Sequence, residues 1–593
     1  MDPLLIMLPL LAGAAAALAA GATPGSERYA KYAALAGAAG SALLTIVLLV
    51  QHPQAAYQFG WFSIGQYSFQ LSLSFAYANR LLLFLIAIIS PLIFLYSVGY
   101  MDVPSEQSRY YFLLSIFALA MTLLAMTGDF LTFFIAWEGL GITSYLLIGF
   151  WYQKEAPPGA ARKAITTILV GDICLLAGML LLWSGFHTFS FSSIAAAASS
   201  MHVIPFFIVA AGVLVLIGAF TKSAQFPFHE WLSDAMEGPT PVSAFLHSST
   251  MVKAGVFLAV LLMPLLIALN LLWLMLAVGA VTVAIGAINA LSSDHIKKIL
   301  AYSTMEDLGL MFVALGLNAI PAALLFFAVQ AIYKALLLMN AGTIMKANDD
   351  SVSVYKVSSF GRNRLLFAAA LIGALSLAGI FPFSGFFGRA AIDSAAMPNA
   401  IVYVVLTAAD FLTALYIFRW LFLPMRNQAN AAKTLLAVRF AGIGKSMQAP
   451  QAALAIAVLA VAAYFMARGM VLGISIAAGV VETAAALLGI FVAYTLFRRF
   501  TTTLSEHSRT RRLLCLANPV NAAYGAAASG VMAIAAGAEG FERYLNRVLY
   551  AGGRGVVQLG GTIRHFERGD TNAYVAAVAV GMIIILTLLV LLP

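Results

Sequence analysis

Charge is what this chain has least of. Asp, Glu, Lys and Arg make up 10% of its 593 residues, 62% are hydrophobic, and the mean hydropathy is +0.95. So few polar side chains cannot clothe a water-facing surface, so the outer face must meet lipid and the chain must cross a bilayer many times. Cysteine is scarcer still. Cys174 and Cys515 form no CxxC pair and no iron–sulfur spacing, and they exclude a disulfide framework. A Walker A run is missing, as is a GxGxxG between strand and helix, which argues against nucleotide binding. No cofactor and no metal is expected in this chain. The net charge of +9 raises the question of nucleic acid, but in a polytopic chain surplus Lys and Arg collect in cytoplasmic loops. The bilayer is therefore the expected partner and nucleic acid is not. The opening run 4–20 lacks a basic n-region and reads as a first spanning helix, not a cleaved signal.

What is present is a succession of apolar segments. They fall near 3–20, 31–50, 81–100, 110–126, 129–150, 163–184, 204–235, 240–263, 271–291, 297–318, 319–345, 362–398, 399–425, 447–467, 471–498 and 574–592. The expected fold is an all-α polytopic membrane protein of about sixteen transmembrane helices. Residues 56–76, aromatic and partly alternating, predict a short hairpin outside the membrane. Placing the N-terminus outside sends nearly every loop Lys and Arg inside, from Arg28 to Arg568, and leaves only Arg80 and Arg468 outside. One misplaced helix would scramble that partition, so both termini are expected on the outer side. Segment 499–573 is basic, with Phe541, Tyr544, Leu545 and Val548 on one helical face, and predicts an interfacial helix before a last span at 574–593.

Ionisable groups concentrate where hydrocarbon should exclude them. FTKSAQFPFHEWLSDAMEGPTPVSAFLHSSTMVKAG, residues 220–255, carries Lys222, His247 and Lys253 amid apolar sequence interrupted by Pro227, Gly238, Pro239 and Pro241. Proline breaks a helix, and a break at membrane depth persists only where protein or water satisfies the freed backbone. Lys222 is either a snorkelling helix-end lysine or a titratable amine on a broken helix, the device of transporters. Glu138 stands in mid-helix between apolar residues, and pairing it with Lys222 is the least costly arrangement. Asp172 is a local polar contact or a transport group. His247 is a satisfied core histidine or a relay. Lys297, at a helix entrance, equally fits a topological marker, whereas Lys334 sits in an otherwise apolar helix. Asp307, beside Glu306, is a further candidate.

The device recurs. GALSLAGIFPFSGFFGRAAID interrupts a second apolar run at Gly379, Pro382 and Gly385, with Arg389 close behind. Units 110–263 and 271–425 each hold five helices with the broken one fourth. An odd number of spans makes consecutive copies enter from opposite sides, so an inverted repeat is expected. Segments 1–109 and 426–498 flank the pair.

The stretches AWEGLGITSYLLIGFW, residues 220–255, KKILAYSTMEDLGLMF and LAGIFPFSGFFGRA resemble the antiporter-like subunits of respiratory complex I, most closely the subunit L type. Similar motifs occur in Mrp-type antiporters and membrane-bound hydrogenases. The resemblance implies proton half-channels, a polar axis through Glu138, Lys222, His247, Lys297 and Lys334, a lateral helix, and membrane-arm subunits as partners carrying protons or sodium. At Lys253 the chain is similar to the hydrogenase and Mrp relatives as much as to subunit L. Six positions depart from the pattern: Leu169 replaces an arginine, Phe326 and Gln330 replace histidines, and Arg389 with Ala390 and Ala391 replaces Lys-Asp-Glu. Because arginine stays protonated, Arg389 is expected to act as a fixed charge biasing Lys334 or ordered water.

Overall fold

Backbone in hydrocarbon has no water to bond to, so apolar segments of spanning length close their own hydrogen bonds as helices. The computed structural model describes residues 2–499, apart from 24, 52, 54–55, 65–66, 202–203, 359–362, 431–442 and 469–473. In chain order the helices are α1 (Leu8–Ala22), α2 (Ala30–Val50), α3 (Tyr77–Tyr100), α4 (Pro104–Ala125), α5 (Phe130–Ile148), α6 (Ala156–Phe186), α7 (Phe191–Ser200), α8 (Phe206–Lys222), α9 (Glu230–Asp234) and α10 (Thr240–Ser248). There follow α11 (Ala254–Leu261), α12 (Met263–Ala268), α13 (Leu272–Ser292), α14 (Ile296–Gly316), α15 (Ile320–Ala347), α16 (Arg364–Leu377), α17 (Ser384–Ala396), α18 (Ala400–Asn430), α19 (Lys445–Ala467) and α20 (Ile476–Ala493).

Among the described residues thirteen helical segments are long and apolar enough to cross a membrane, and α8 and α16 are shorter apolar helices. Together they account for every predicted span up to residue 498. The predicted interfacial helix and the span at 574–593 lie outside the described residues.

Between α2 and α3 the predicted hairpin forms: β1 (Ala56–Ile64) pairs antiparallel with β2 (Tyr67–Ser74), with an irregularity between Gly60 and Phe62. Asp129 fastens it. One carboxylate oxygen caps α5 through the Thr132 N–H at 2.7 Å, and the other accepts the Ser72 N–H at 2.5 Å.

The two predicted breaks are alike in build. After α8 the chain passes through cis Phe226–Pro227 to α9, and after α16 it passes through cis Phe381–Pro382 to α17. Expectation and structure differ at the span after the first break. Segment 240–263, predicted continuous, is interrupted between α10 and α11 by a single turn, Met251–Lys253. Ser248, Ser249 and Thr250 supply hydroxyls that compete with helical hydrogen bonding. The Thr250 hydroxyl donates to the Phe245 carbonyl at 2.5 Å, where the helix ladder would have needed a backbone N–H.

Candidate functional site

Four lysines in a bilayer-spanning bundle are hidden from solvent: Lys222, Lys253 and Lys334 are 0% exposed and Lys297 is 2% exposed. An ammonium at such depth needs acceptors, and each of the four has one.

Lys222 is the last residue of α8, held where the helix stops. Its Nζ donates to the Trp137 carbonyl at 3.1 Å, lies 4.5 Å from the Trp137 ring centroid, and faces Asp172 Oδ1 at 3.6 Å. The indole N–H of Trp137 donates to the same Asp172 oxygen at 2.5 Å. The expected ion pair of Lys222 with Glu138 is therefore corrected: the contact is with Asp172. The amine takes the carbonyl of Trp137, the residue before Glu138 on α5, and the carboxylate of Asp172. Glu138 is half-buried, its Oε1 has no protein partner, and it stays near enough to both charges to feel them. Close approach depends on Gly141, where a Cβ would lie 3.3 Å from Lys222 Nζ. Leu169 points outward, 45% exposed, while Lys222 and Trp137 hold Asp172.

His247 is fully buried on α10, and neither ring nitrogen has a protein partner. Lys253, in the turn between α10 and α11, donates to the Phe327 carbonyl at 2.5 Å and lies over the Phe327 ring at 4.4 Å. Gln330 on α15 reaches the His247 carbonyl at 3.5 Å and Asp307 Oδ2 at 3.4 Å. It stands between the two groups.

Lys297 donates to the Gly238 carbonyl at 2.8 Å. It forms part of the wall of a cavity of about 500 Å³ that also takes in Asp102, Glu106, Lys154, Glu237, His295 and Lys346. His295 caps α14, its Nδ1 accepting the N–H groups of Lys297 and Lys298 at 3.1 and 3.4 Å. Burial, then the charges of Lys297 and Lys298, holds this imidazole down to about 3, so it stays the neutral acceptor the cap requires. At the same end of the bundle Lys163 pairs with Asp234 at 2.8 Å, and Lys298 lies 3.6 Å from that carboxylate.

The second break carries a larger assembly. Lys334 donates to Ser303 Oγ at 2.7 Å and pairs with Asp307 Oδ2 at 2.8 Å. Arg389, one turn and a half into α17, bonds Asp410 at 2.8 Å through NH1 and both Glu306 (3.2 Å) and Asp307 (3.3 Å) through NH2. Glu306 accepts in addition from the hydroxyls of Tyr416, at 2.8 Å, and Thr413. Asp307 is thus shared by Lys334 and Arg389.

The structure brings together Lys222 with Asp172, and Lys334 with Asp307 and Arg389. It leaves Glu138 Oε1 and both ring nitrogens of His247 without protein partners. Sequence reasoning missed Asp410, Asp393 and Glu482, although each is a lone acid in an apolar helix, the signal that drew attention to Glu138.

Two family models match the chain: NADH:quinone oxidoreductase/Mrp antiporter, TM, over residues 127–415, and NADH-ubiquinone oxidoreductase (complex I), chain 5 N-terminus, over residues 61–112. NADH-quinone oxidoreductase subunit L of Campylobacter jejuni is 36% identical over 376 residues, 63% of this chain and 62% of that protein. Subunit L of Mycobacterium tuberculosis is 38% identical over 347 residues, covering 57% and 54%. The matched part thus spans 54% to 62% of these relatives' length. Among solved structures, the Mrp complex from Dietzia sp. DQ12-45-1b aligns with a TM-score of 0.69 at 24% identity, covering 88% of this chain and 60% of that one. The membrane-bound sulfane sulfur reductase, an archaeal respiratory membrane complex, aligns with a TM-score of 0.69 at 20% identity, covering 82% and 98%. These two likenesses carry the fold.

Proposed function

We propose, for a chain that belongs to the membrane family shared by NADH:quinone oxidoreductase and the Mrp antiporters, that it translocates protons as the subunit-L-type component of a redox-driven complex. That complex is a complex I-like NADH/quinone oxidoreductase or a related energy-converting assembly, and other membrane-arm subunits are its partners. Electron transfer happens in those partners, since this chain's own residues supply proton carriers and no redox group.

The observation that carries the reading is the set of four buried lysines, Lys222, Lys253, Lys297 and Lys334, each against an acceptor, with a polar cavity at Lys297. In this reading Lys297 takes protons from that cavity and His247 passes them on through water, as its two unpartnered ring nitrogens allow. Lys334 and Lys253 hold protons at the centre. In the other half Lys222 exchanges a proton while Asp172, and at longer range Glu138, govern how firmly it is held. A buried amine keeps its proton while a carboxylate lies against it and yields it when that carboxylate moves away. Arg389 cannot take part in that exchange, and it acts as a standing charge on Asp307.

The two breaks, similar in build and each followed by a cation-bearing segment, support the division into inverted units 110–263 and 271–425, with 1–109 and 426–498 around them. The distribution of Lys and Arg supports both termini on the outer side of a prokaryotic-type cell membrane. A Mrp-type sodium/proton antiporter is the second reading. It requires Asp172 or Asp307 to give oxygen ligands to sodium, yet each already faces a lysine, so a cation would have to displace a fixed one.

Proton and sodium fluxes in membrane vesicles, with and without reductant, test the reading. Proton uptake that follows the reductant is expected. Exchange driven by a sodium gradient alone would favour the antiporter, and absence of both would leave an anchor that moves no ion.

A further inference from the structure

Beyond Arg389 lies a set of acids that the scheme above does not use. Asp393 sits four residues after Arg389 on α17 and so shares its face. Its carboxyl meets that of Asp410 at hydrogen-bonding range. Glu482, on α20 and outside the family-matched residues 127–415, is 1% exposed, and both its carboxyl oxygens lack a protein partner. It is aimed at the second break. Gly379, at φ +68°, stands where a Cβ would come within 2.2 Å of Glu482 Oε1 and 3.2 Å of the Arg389 side chain.

Counting charges decides the state of this set. Glu306, Asp307, Asp393, Asp410 and Glu482 face three buried cations, Arg389, Lys334 and, within electrostatic reach of Asp307, Lys253. Five carboxylates outnumber three cations in a low-dielectric interior, so some of these groups hold protons. Two carboxyls within hydrogen-bonding range share one in any case, because neither carboxylate can donate.

By helical rise Asp393 lies about 5 Å from the end of α17 and Glu482 about 9 Å from the start of α20, and Asp410, in reach of Asp393, joins the pair to Arg389. These two ends lie together: the Ser475 N–H, at the start of α20, donates to Ser394 Oγ near the end of α17 at 2.9 Å. Partly exposed Tyr403, near the start of α18, is within electrostatic reach of all three acids.

We infer that Asp410, Glu482 and Asp393 form a proton exit route, from the Arg389 and Lys334 assembly to the face where α17 ends and α18 and α20 begin. Each step breaks an O–H bond of one carboxylic acid and forms another on the next oxygen or an intervening water, with the electron pair left behind and nothing oxidised. The inference rests on the proposed proton transport and adds the outlet of its second half.

The test uses membranes bearing the full-length chain in its assembled complex, energised with reductant, with Lys297→Met measured alongside. Glu482→Gln and Asp393→Asn are expected to lower proton release on the order of tenfold or more, whereas Glu482→Asp recovers much of it. Infrared difference spectra of the same membranes, with and without reductant, should show a carboxyl band that changes on energisation and is lost in Glu482→Gln, a signature that a permanently protonated structural residue would not give. Full proton release by Glu482→Gln, while Lys297→Met abolishes it, overturns the exit route and leaves the transport reading standing. A persisting band overturns it too. If the unaltered chain moves no proton, both readings fall together.

Discussion

The two broken helices place a cation at the same kind of site and use it in opposite ways. At the first, one lysine meets one carboxylate, Asp172, at 3.6 Å, with a tryptophan completing the shell. At the second, one arginine binds three carboxylates, Glu306, Asp307 and Asp410. A lysine can surrender its proton on burial, and a guanidinium does not. In the proposed transport the first break therefore changes charge. The second holds charge steady while its acids and Lys334 change around it.

Breaking the second break should cost most. Arg389→Met leaves three buried carboxylates without their shared cation, and thermal unfolding in detergent is expected to show a loss of about 3–5 kcal/mol. Exchanging the two cation types sharpens the comparison. Lys222→Arg keeps the charge but removes the exchangeable proton, so reductant-driven proton uptake should fall about a hundredfold. Arg389→Lys should leave uptake within about twofold of the unaltered chain, because only a positive charge is needed there. Complete loss in Arg389→Lys would reject a purely electrostatic role. A smaller effect is expected from Gly141→Ala, whose methyl would lie 3.3 Å from Lys222 Nζ. Displacing the amine by a few tenths of an ångström should cost about 1 kcal/mol, read as a roughly fivefold drop in uptake with assembly unchanged.

The mildest effect concerns pH. His295 is held down to about 3 from an ordinary 6.5, so the unfolded chain binds more protons than the folded one between those values. Its contribution is whole above about pH 6.5 and drains away as pH falls towards about 3. The protection of the Lys297 and Lys298 amides against hydrogen exchange, taken relative to their intrinsic rates, should therefore fall on acidification, and a His295→Asn chain, whose cap does not titrate, should not show it.

Much of the fold was legible because the bilayer imposes one rule on every span: run length locates helices, proline and glycine locate breaks, and loop charge sets the expected orientation. Partners were less legible. Pairing Glu138 with Lys222 followed from their shared membrane depth, but depth does not encode azimuth, and Asp172 occupies the direction in which the amine points. The interruption at Ser249 and Thr250 escaped because hydroxyl residues are compatible with a helix until a neighbouring carbonyl claims them. Asp393, Asp410 and Glu482 stand in apolar helices as Glu138 does, and what hid them was only that their convergence on Arg389 joins segments far apart in the chain.

Gln330 has a consequence for how the halves communicate. Its amide spans the space between the His247 carbonyl and Asp307, yet an amide has no ionisable form at any physiological pH. No proton can rest there. In the proposed transport, traffic along that stretch goes through solvent molecules alone, and the glutamine ties the His247 carbonyl to the carboxylate that Lys334 and Arg389 share, so the geometry of one end constrains the other.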